Sequence, residues 1–237
     1  MPLFAARTLQ HPVPVVEPTL LRVRSFNVAS AAGLIFSAAF FAYQLCNALF
    51  LTSVWGYTTL AAGLILVSSA LVAAVVSGPA GRLADRHGHR AVAAPGAVVF
   101  ALGEAWYAFV VRPEPALLSE CLPGAALGGL GIGLTLPVLI GAAVAPLAPE
   151  RSAAGSAANA MIRQLGAALG IAILVAVVSD PAPAEAPAAF DRGYLFVATG
   201  GLLTAATTLL FERTRKPVKE PKSGVFPQAG DSRRSGP

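Results

Sequence analysis

At 237 residues the chain is long enough to bury a sizeable core, yet 55% of it is hydrophobic and only 12% is charged. Soluble domains carry roughly twice that share of charge, so a water-facing surface for this much apolar sequence cannot be assembled and an ordinary soluble globule is excluded. The net charge is +5, with the basic residues in loops and tails between apolar runs. That pattern points to a membrane surface, and nothing in the chain resembles a nucleic-acid module, so no nucleic-acid partner is expected.

A membrane-crossing helix needs roughly 20 mostly apolar residues. Residues 1–25 hold Pro2, Pro12, Pro14 and Pro18 and no long apolar run, so they read as a linker rather than a signal peptide, and the first span is expected to insert uncleaved. Six spans follow, over 26–51, 58–76, 91–111, 122–144, 153–178 and 194–211. The fold class expected is an all-α integral membrane bundle of six transmembrane helices. Residues 212–237 are polar, basic and rich in Pro and Gly, and read as a disordered tail. Pro95 and Pro123 fall near span starts, where a missing N–H is tolerated. Pro137 is internal, so a kink is expected in the fourth span.

The connections differ in chemistry. Residues 52–57 form a short uncharged turn, residues 179–192 an Ala/Pro-rich, mostly acidic connector. Cys46 and Cys121 lie in or beside apolar runs and read as free membrane-embedded thiols. Fifteen of the Lys and Arg residues fall on one side of a six-span topology, and only Arg112 and Arg192 on the other. The positive-inside rule then places both termini in the cytoplasm.

The most specific stretch follows the second span: Gly81, Arg82, Leu83, Ala84, Asp85, Arg86, His87, Gly88, His89, Arg90. Read as a loop, Gly81 and Gly88 allow sharp turns or close approach to a neighbouring helix. Asp85 suits a helix N-terminus. Arg86 and Arg90 suit carboxylates or anionic lipid headgroups. A metal site on Asp85, His87 and His89 is not expected, because the spacing is poor and no further ligand is at hand.

At these residues the chain resembles the major facilitator superfamily, whose loop signature reads G-x-L-A-D-R-x-G-[RK]-[RK]. Gly81, Leu83, Ala84, Asp85, Arg86, Gly88 and Arg90 match it, and His89 departs from it. Three more stretches are similar to the fourteen-helix drug:proton antiporter branch: Gly56 to Gly63, Pro149 to Ala157, and Arg163, Gln164, Leu165, Gly166, Ala167, Ala168, Leu169, Gly170. The match runs from about Val16 to Arg213 and is to the C-terminal six-helix half, one 3+3 inverted repeat. No residue-level similarity between the two sets of three helices is visible. The resemblance implies a secondary transporter at the plasma membrane, a proton-coupled exporter of drugs or small amphipathic compounds. It implies a gate-latch role for Asp85, no cofactor beyond the proton gradient, and a missing N-terminal half or a second copy as partner. An inactive truncated remnant and a non-transporting membrane scaffold stand as alternatives. An enzyme is not expected, because no Ser/His/Asp arrangement and no phosphate-cradling loop is present.

Candidate site residues follow. Phe40, Tyr43, Gln44 and Asn47 share one helix face by their spacings of three and four. Amides in hydrocarbon need partners, so this face lines a cavity or bonds to another helix; in the resembled family the matching helix lines the substrate cavity. Glu104 is the only acid well inside a span, where an ionised carboxyl costs on the order of 3 kcal/mol. It is read either as a proton-binding group or as a neutral, hydrogen-bonded acid near the outer interface. The second reading is favoured by Trp106 and Tyr107 as interfacial anchors. Arg163 lies about three turns into the fifth span and either snorkels or pairs across the bundle. Gly124 and Gly128, Gly129 and Gly133, and Gly166 and Gly170 form G-x-x-x-G pairs that suit close helix packing.

Overall fold

The computed structural model describes residues 24–178 and 186–210; the N-terminal linker up to residue 23, residues 179–185 of the acidic connector and the tail from residue 211 lie outside the described residues. Six long helices carry the fold: α1 (Arg24–Leu49), α2 (Thr59–His87), α3 (His89–Val110), α4 (Leu122–Val144), α5 (Pro149–Val178) and α6 (Ala186–Thr208). Five of them are long and apolar enough to cross a membrane. The described part of α6 is more polar: it opens with Asp191 and Arg192 and carries Thr199, Thr204, Thr207 and Thr208. Each of these threonine hydroxyls donates to a carbonyl one turn back, at 2.6–2.8 Å, so none needs an external partner.

Local chemistry sets the helix ends. The side chain of Thr58 caps α2 by accepting from the Ala61 N–H, just after Gly56 turns the chain at φ 68°. Short π-helical turns extend α1 (Phe50–Val54) and precede α4 (Leu117–Cys121). Pro123 falls in the first turn of α4, as expected, and α4 runs on through Pro137. Pro95 is further in than the sequence suggested. Because α3 already begins at His89, Pro95 removes the bond that would reach the Ala91 carbonyl.

The largest difference from the sequence reading is at α2. The second span was expected to end at residue 76, with a loop beyond it. Instead the helix continues through Pro79 to His87. Ser77, Arg82 and Asp85 lower the hydropathy there without breaking the helix. Likewise the connector expected up to residue 192 is helical from Ala186, with Pro187 in the first turn, where its missing N–H costs nothing.

The helices pack in a pattern that exchanges the two sets of three. α1 packs on α5 and α4 on α2; α4 packs on α3 and α1 on α6; α1 meets α4, and α3 meets α6. Swapping α1, α2, α3 for α4, α5, α6 maps this set of contacts onto itself. With consecutive helices running in opposite directions, the swap pairs antiparallel helices, as an inverted repeat requires. Only 11% of the apolar window of α2 and 28% of that of α5 is buried, against half or more in α1, α3 and α4. α2 and α5 are therefore the peripheral pair.

Glycines set the closest contacts. A Cβ at Gly133 would lie 2.7 Å from the Ala73 carbonyl oxygen, and one at Gly129 would strike the Ser69 carbonyl, so α4 and α2 touch backbone to backbone. Gly166 and Gly170 bring α5 equally close to Leu34 and Ala38 of α1. Gly124 and Gly128 make room instead for the side chains of Tyr107, Trp106, Tyr43 and Glu104.

Candidate functional site

The four residues expected on one face of α1 divide. Tyr43 and Asn47 are buried inside the bundle, whereas Phe40 and Gln44 are only partly buried on its flank. The Asn47 amide is bonded within protein. Its Nδ2 donates to the Tyr43 carbonyl, and its Oδ1 accepts from the Tyr194 hydroxyl of α6 at 3.3 Å. Tyr194→Phe should leave Asn47 Oδ1 short of a donor and cost about 1 kcal/mol of stability. Unfolding of the purified protein in detergent measures this; an unchanged midpoint would assign the bond no weight.

Glu104 occupies the centre of the same cluster. It is fully buried on α3, and neither carboxyl oxygen has a hydrogen-bond partner among the described residues. The Tyr43 hydroxyl is likewise buried and unpartnered. Both approach one point above Gly128: a Cβ there would be 3.4 Å from Glu104 Oε1 and 3.5 Å from the Tyr43 hydroxyl oxygen. Glu104, Tyr43 and Gly128 come from α3, α1 and α4, so three helices meet at this carboxyl. Aromatic rings seal it: Tyr43 lies edge-on to Phe100, and Tyr107 stacks on Tyr194 with ring centres 5.1 Å apart.

Of the two expected interfacial anchors, Trp106 is partly buried, and its Nε1 donates to the Glu120 carbonyl at 2.8 Å. Tyr107 is not interfacial. It is 3% exposed and donates to the Cys121 carbonyl at 3.0 Å, because the turn before α4 folds back over it. Trp55 ties the same connector from the end of α1 by donating to the Arg112 carbonyl. No local pattern marks Tyr194 as a member of this cluster; its partner Asn47 is 147 positions away. Cys46 and Cys121 are free and buried nearby.

Arg163 lays its stem over Gly33 of α1, with Cγ 3.4 Å from where a Cβ would stand, and its buried Nε has no hydrogen-bond partner among the described residues. Four positions before it, Asn159 donates to the Ser30 hydroxyl across the same interface at 3.3 Å. Gln164 points outward.

The signature stretch is the end of a helix, not a loop. Gly81 lies within α2 with open space around it, so it neither turns the chain nor admits a neighbour. Gly88 does turn it, at φ 90°, and separates α2 from α3. Asp85 stands in the last turn of α2 rather than at the start of a helix, and is exposed. Arg86 and His87 share that turn, where positive charge suits the helix dipole. Leu83 and Arg82 are exposed, Ala84 is buried, Arg90 is half-buried, and His89 faces Gly141 of α4.

The family described as Major Facilitator Superfamily matches residues 25–233, which is most of the chain. The chain belongs to the major facilitator superfamily. Members of this superfamily are transporters, and the apolar helices agree with a multi-pass membrane protein. Among curated relatives, a multidrug resistance protein B homolog of Mycobacterium tuberculosis is 27% identical over 161 residues, covering 68% of this chain and 30% of the relative. The multidrug resistance protein Stp of the same species is 29% identical, covering 70% and 30%. The cephamycin export protein CmcT of Amycolatopsis lactamdurans is 29% identical, covering 82% and 41%. The chain thus spans about a third of the length of these relatives.

Proposed function

We propose that this chain forms the C-terminal six-helix half of a fourteen-helix drug:proton antiporter that exports amphipathic compounds across the plasma membrane. The observation that carries the coupling is Glu104, fully buried where three helices meet, with neither oxygen bonded to any described residue. Among the described residues no hydrogen bond reaches either oxygen, so a charge there would cost several kcal/mol. A proton removes that charge, and a motion of α1 against α3 and α4 that admits water removes the penalty. Proton release and conformational change are then one event, which is what coupling requires.

The peripheral pair α2 and α5 supports a second bundle as partner, because alternating access needs two bundles rocking about a midplane site. Their exposed faces carry Leu60, Leu64, Leu71, Leu165 and Leu169, together with Gln164. The names of the relatives support small organic compounds as the substrate class.

The test is dye efflux from energised vesicles carrying the chain, with and without a co-expressed N-terminal half. Efflux that needs both the half and the proton gradient is expected; efflux indifferent to an uncoupler rejects antiport. The charge distribution supports cytoplasmic termini. A reporter active only in the periplasm, fused after Leu210, should be silent, and a signal from it would reverse the topology.

A further inference from the structure

We propose that Glu104 and Tyr43 hold a single water molecule between them against Gly128, and that Glu104 exchanges its proton through this water. The site stands on its own geometry; its place in transport rests on the reading of Glu104 given above. Gly128 differs from the glycines around it on α4. A Cβ at Gly124, Gly129, Gly131 or Gly133 would come within 2.8 Å of another helix, so packing itself requires glycine there. At Gly128 the nearest atoms to a Cβ would be Glu104 Oε1 at 3.4 Å, the Tyr43 hydroxyl oxygen at 3.5 Å and Tyr43 Cζ at 3.7 Å, which is ordinary van der Waals contact. Alanine would fit, and it favours a helix more than glycine does, so helix packing does not explain this glycine. The two closest atoms are both polar. Both side chains are fully buried, and neither oxygen has a hydrogen-bond partner among the described residues.

The missing methyl group is close to a water molecule in size, and the two oxygens converge on its place from α3 and α1. The Gly124 carbonyl oxygen, one turn earlier on α4, faces α3 at Gly103, beside Glu104. Two side-chain oxygens and a carbonyl supply the two to four polar partners that a buried water takes. The other titratable groups that face Glu104 among the described residues are Cys46 of α1, Tyr107 of α3 and Tyr194 of α6. A thiol and two phenols are uncharged near pH 7. The Tyr107 and Tyr194 hydroxyls are committed to the Cys121 carbonyl and to Asn47, which leaves Tyr43 to orient the water. In the neutral acid the carboxyl O–H donates to the water, and the water donates to the Tyr43 oxygen. On release the carboxyl O–H bond breaks and one forms to the water, which gives up one of its own protons to the solvent that a motion of α1 admits; uptake is the reverse. One water does not offset the cost of an ionised carboxyl. It keeps the neutral acid bonded and gives its proton a way out once the helices move. Tyr43 is then a positioning residue.

Infrared spectroscopy of the whole purified chain in detergent near pH 7 tests the site. Exposed carboxyls are ionised there, so the C=O stretch of a protonated carboxyl is expected from Glu104, and Glu104→Gln should remove it. In the wild type this band should lie at the lower frequency of a hydrogen-bonded acid, and a water stretch should shift when the solvent is enriched in oxygen-18. In Gly128→Ala the methyl displaces the water. The band should then move to the higher frequency of an unbonded acid, the oxygen-18 shift should vanish, and exchange of the carboxyl proton on transfer to deuterated water should slow about tenfold, the weight of one hydrogen bond. Tyr43→Phe should slow exchange severalfold, and it decides the matter if Gly128→Ala does not fold. Gly63→Ala, with nothing within 4 Å of the new Cβ, should match the wild type. Identical bands and exchange in the wild type and both site variants would overturn the proposal. So would a bonded band that is lost in Tyr43→Phe but kept in Gly128→Ala, which would mean that the phenol bonds the acid directly. A wild type without the band would overturn both this proposal and the protonated Glu104 of the transport reading. Failure of proton-driven efflux with the spectra as expected would reject the transport reading alone.

Discussion

Gly170→Leu is expected to break the contact between α5 and α1 and to cost about 3 kcal/mol of stability or more. Helices in lipid gain little from hydrophobic association, so close backbone approach and van der Waals contact supply most of the attraction. At Gly170 an added Cβ would run into the Ala38 carbonyl and stand 2.6 Å from its Cα. The obstacle is backbone, so no side chain can rotate out of the way, and the whole helix must withdraw. Overpacking in an accommodating core costs about 1–3 kcal/mol; here withdrawal would also strip Gly166 from Leu34 one turn earlier and pull Asn159 from Ser30. The comparison is Gly63→Leu on α2, where nothing lies within 4 Å and a change within about 0.5 kcal/mol is expected. Unfolding of both variants in detergent, with folded yield as a second readout, makes the test. Similar behaviour of the two would mean that the α1–α5 contact is not held by its glycines.

The number, type and approximate extent of the helices were legible because 20-residue apolar runs are an overwhelming signal, and because the glycine pairs announced which faces come close. The end of α2 was not legible. A stretch holding Gly78, Pro79, Gly81 and Asp85 has the composition of a loop, yet helix propagation adds one hydrogen bond per residue and carried the chain past a single proline to Gly88, where positive φ stopped it. The inverted repeat was expected from the helix count and the resemblance, but no residue-level similarity displayed it, and for a different reason. It resides in which helices touch, α1 with α5 as α4 with α2, and glycine, alanine and leucine satisfy such contacts in many orders. At the candidate site the sequence singled out Glu104, Tyr43 and Asn47 by their rarity in a span. Their meeting with Tyr194 and Gly128 depends on the packing of four helices, and no local pattern encodes it. The same packing moved Tyr107 from the interface to the interior.

Glu104→Gln is expected to abolish proton-coupled efflux, on the order of tenfold or more, while leaving the fold intact. Glutamine has the shape of a protonated glutamate and no charge, so the buried cluster around Tyr43, Phe100 and Gly128 has no reason to rearrange. What it cannot do is give up and regain a proton. If Glu104 carries the coupling proton, the variant is held in the conformation that the protonated acid favours, and drug movement loses its dependence on the pH gradient. If Glu104 is instead a permanently neutral packing group, Gln replaces it without loss. The two readings therefore part on a single substitution. The measurement is dye efflux against imposed pH gradients, in vesicles carrying the chain together with whatever partner bundle gives wild-type activity. Detergent unfolding of the same variant runs in parallel. Loss of gradient dependence with an unchanged unfolding midpoint assigns the proton to Glu104; normal gradient-driven efflux removes it from the mechanism. Glu104→Ala serves as the contrast, because it leaves a hole beside the Tyr43 hydroxyl and should lower stability by about 2–3 kcal/mol, whichever role the carboxyl has.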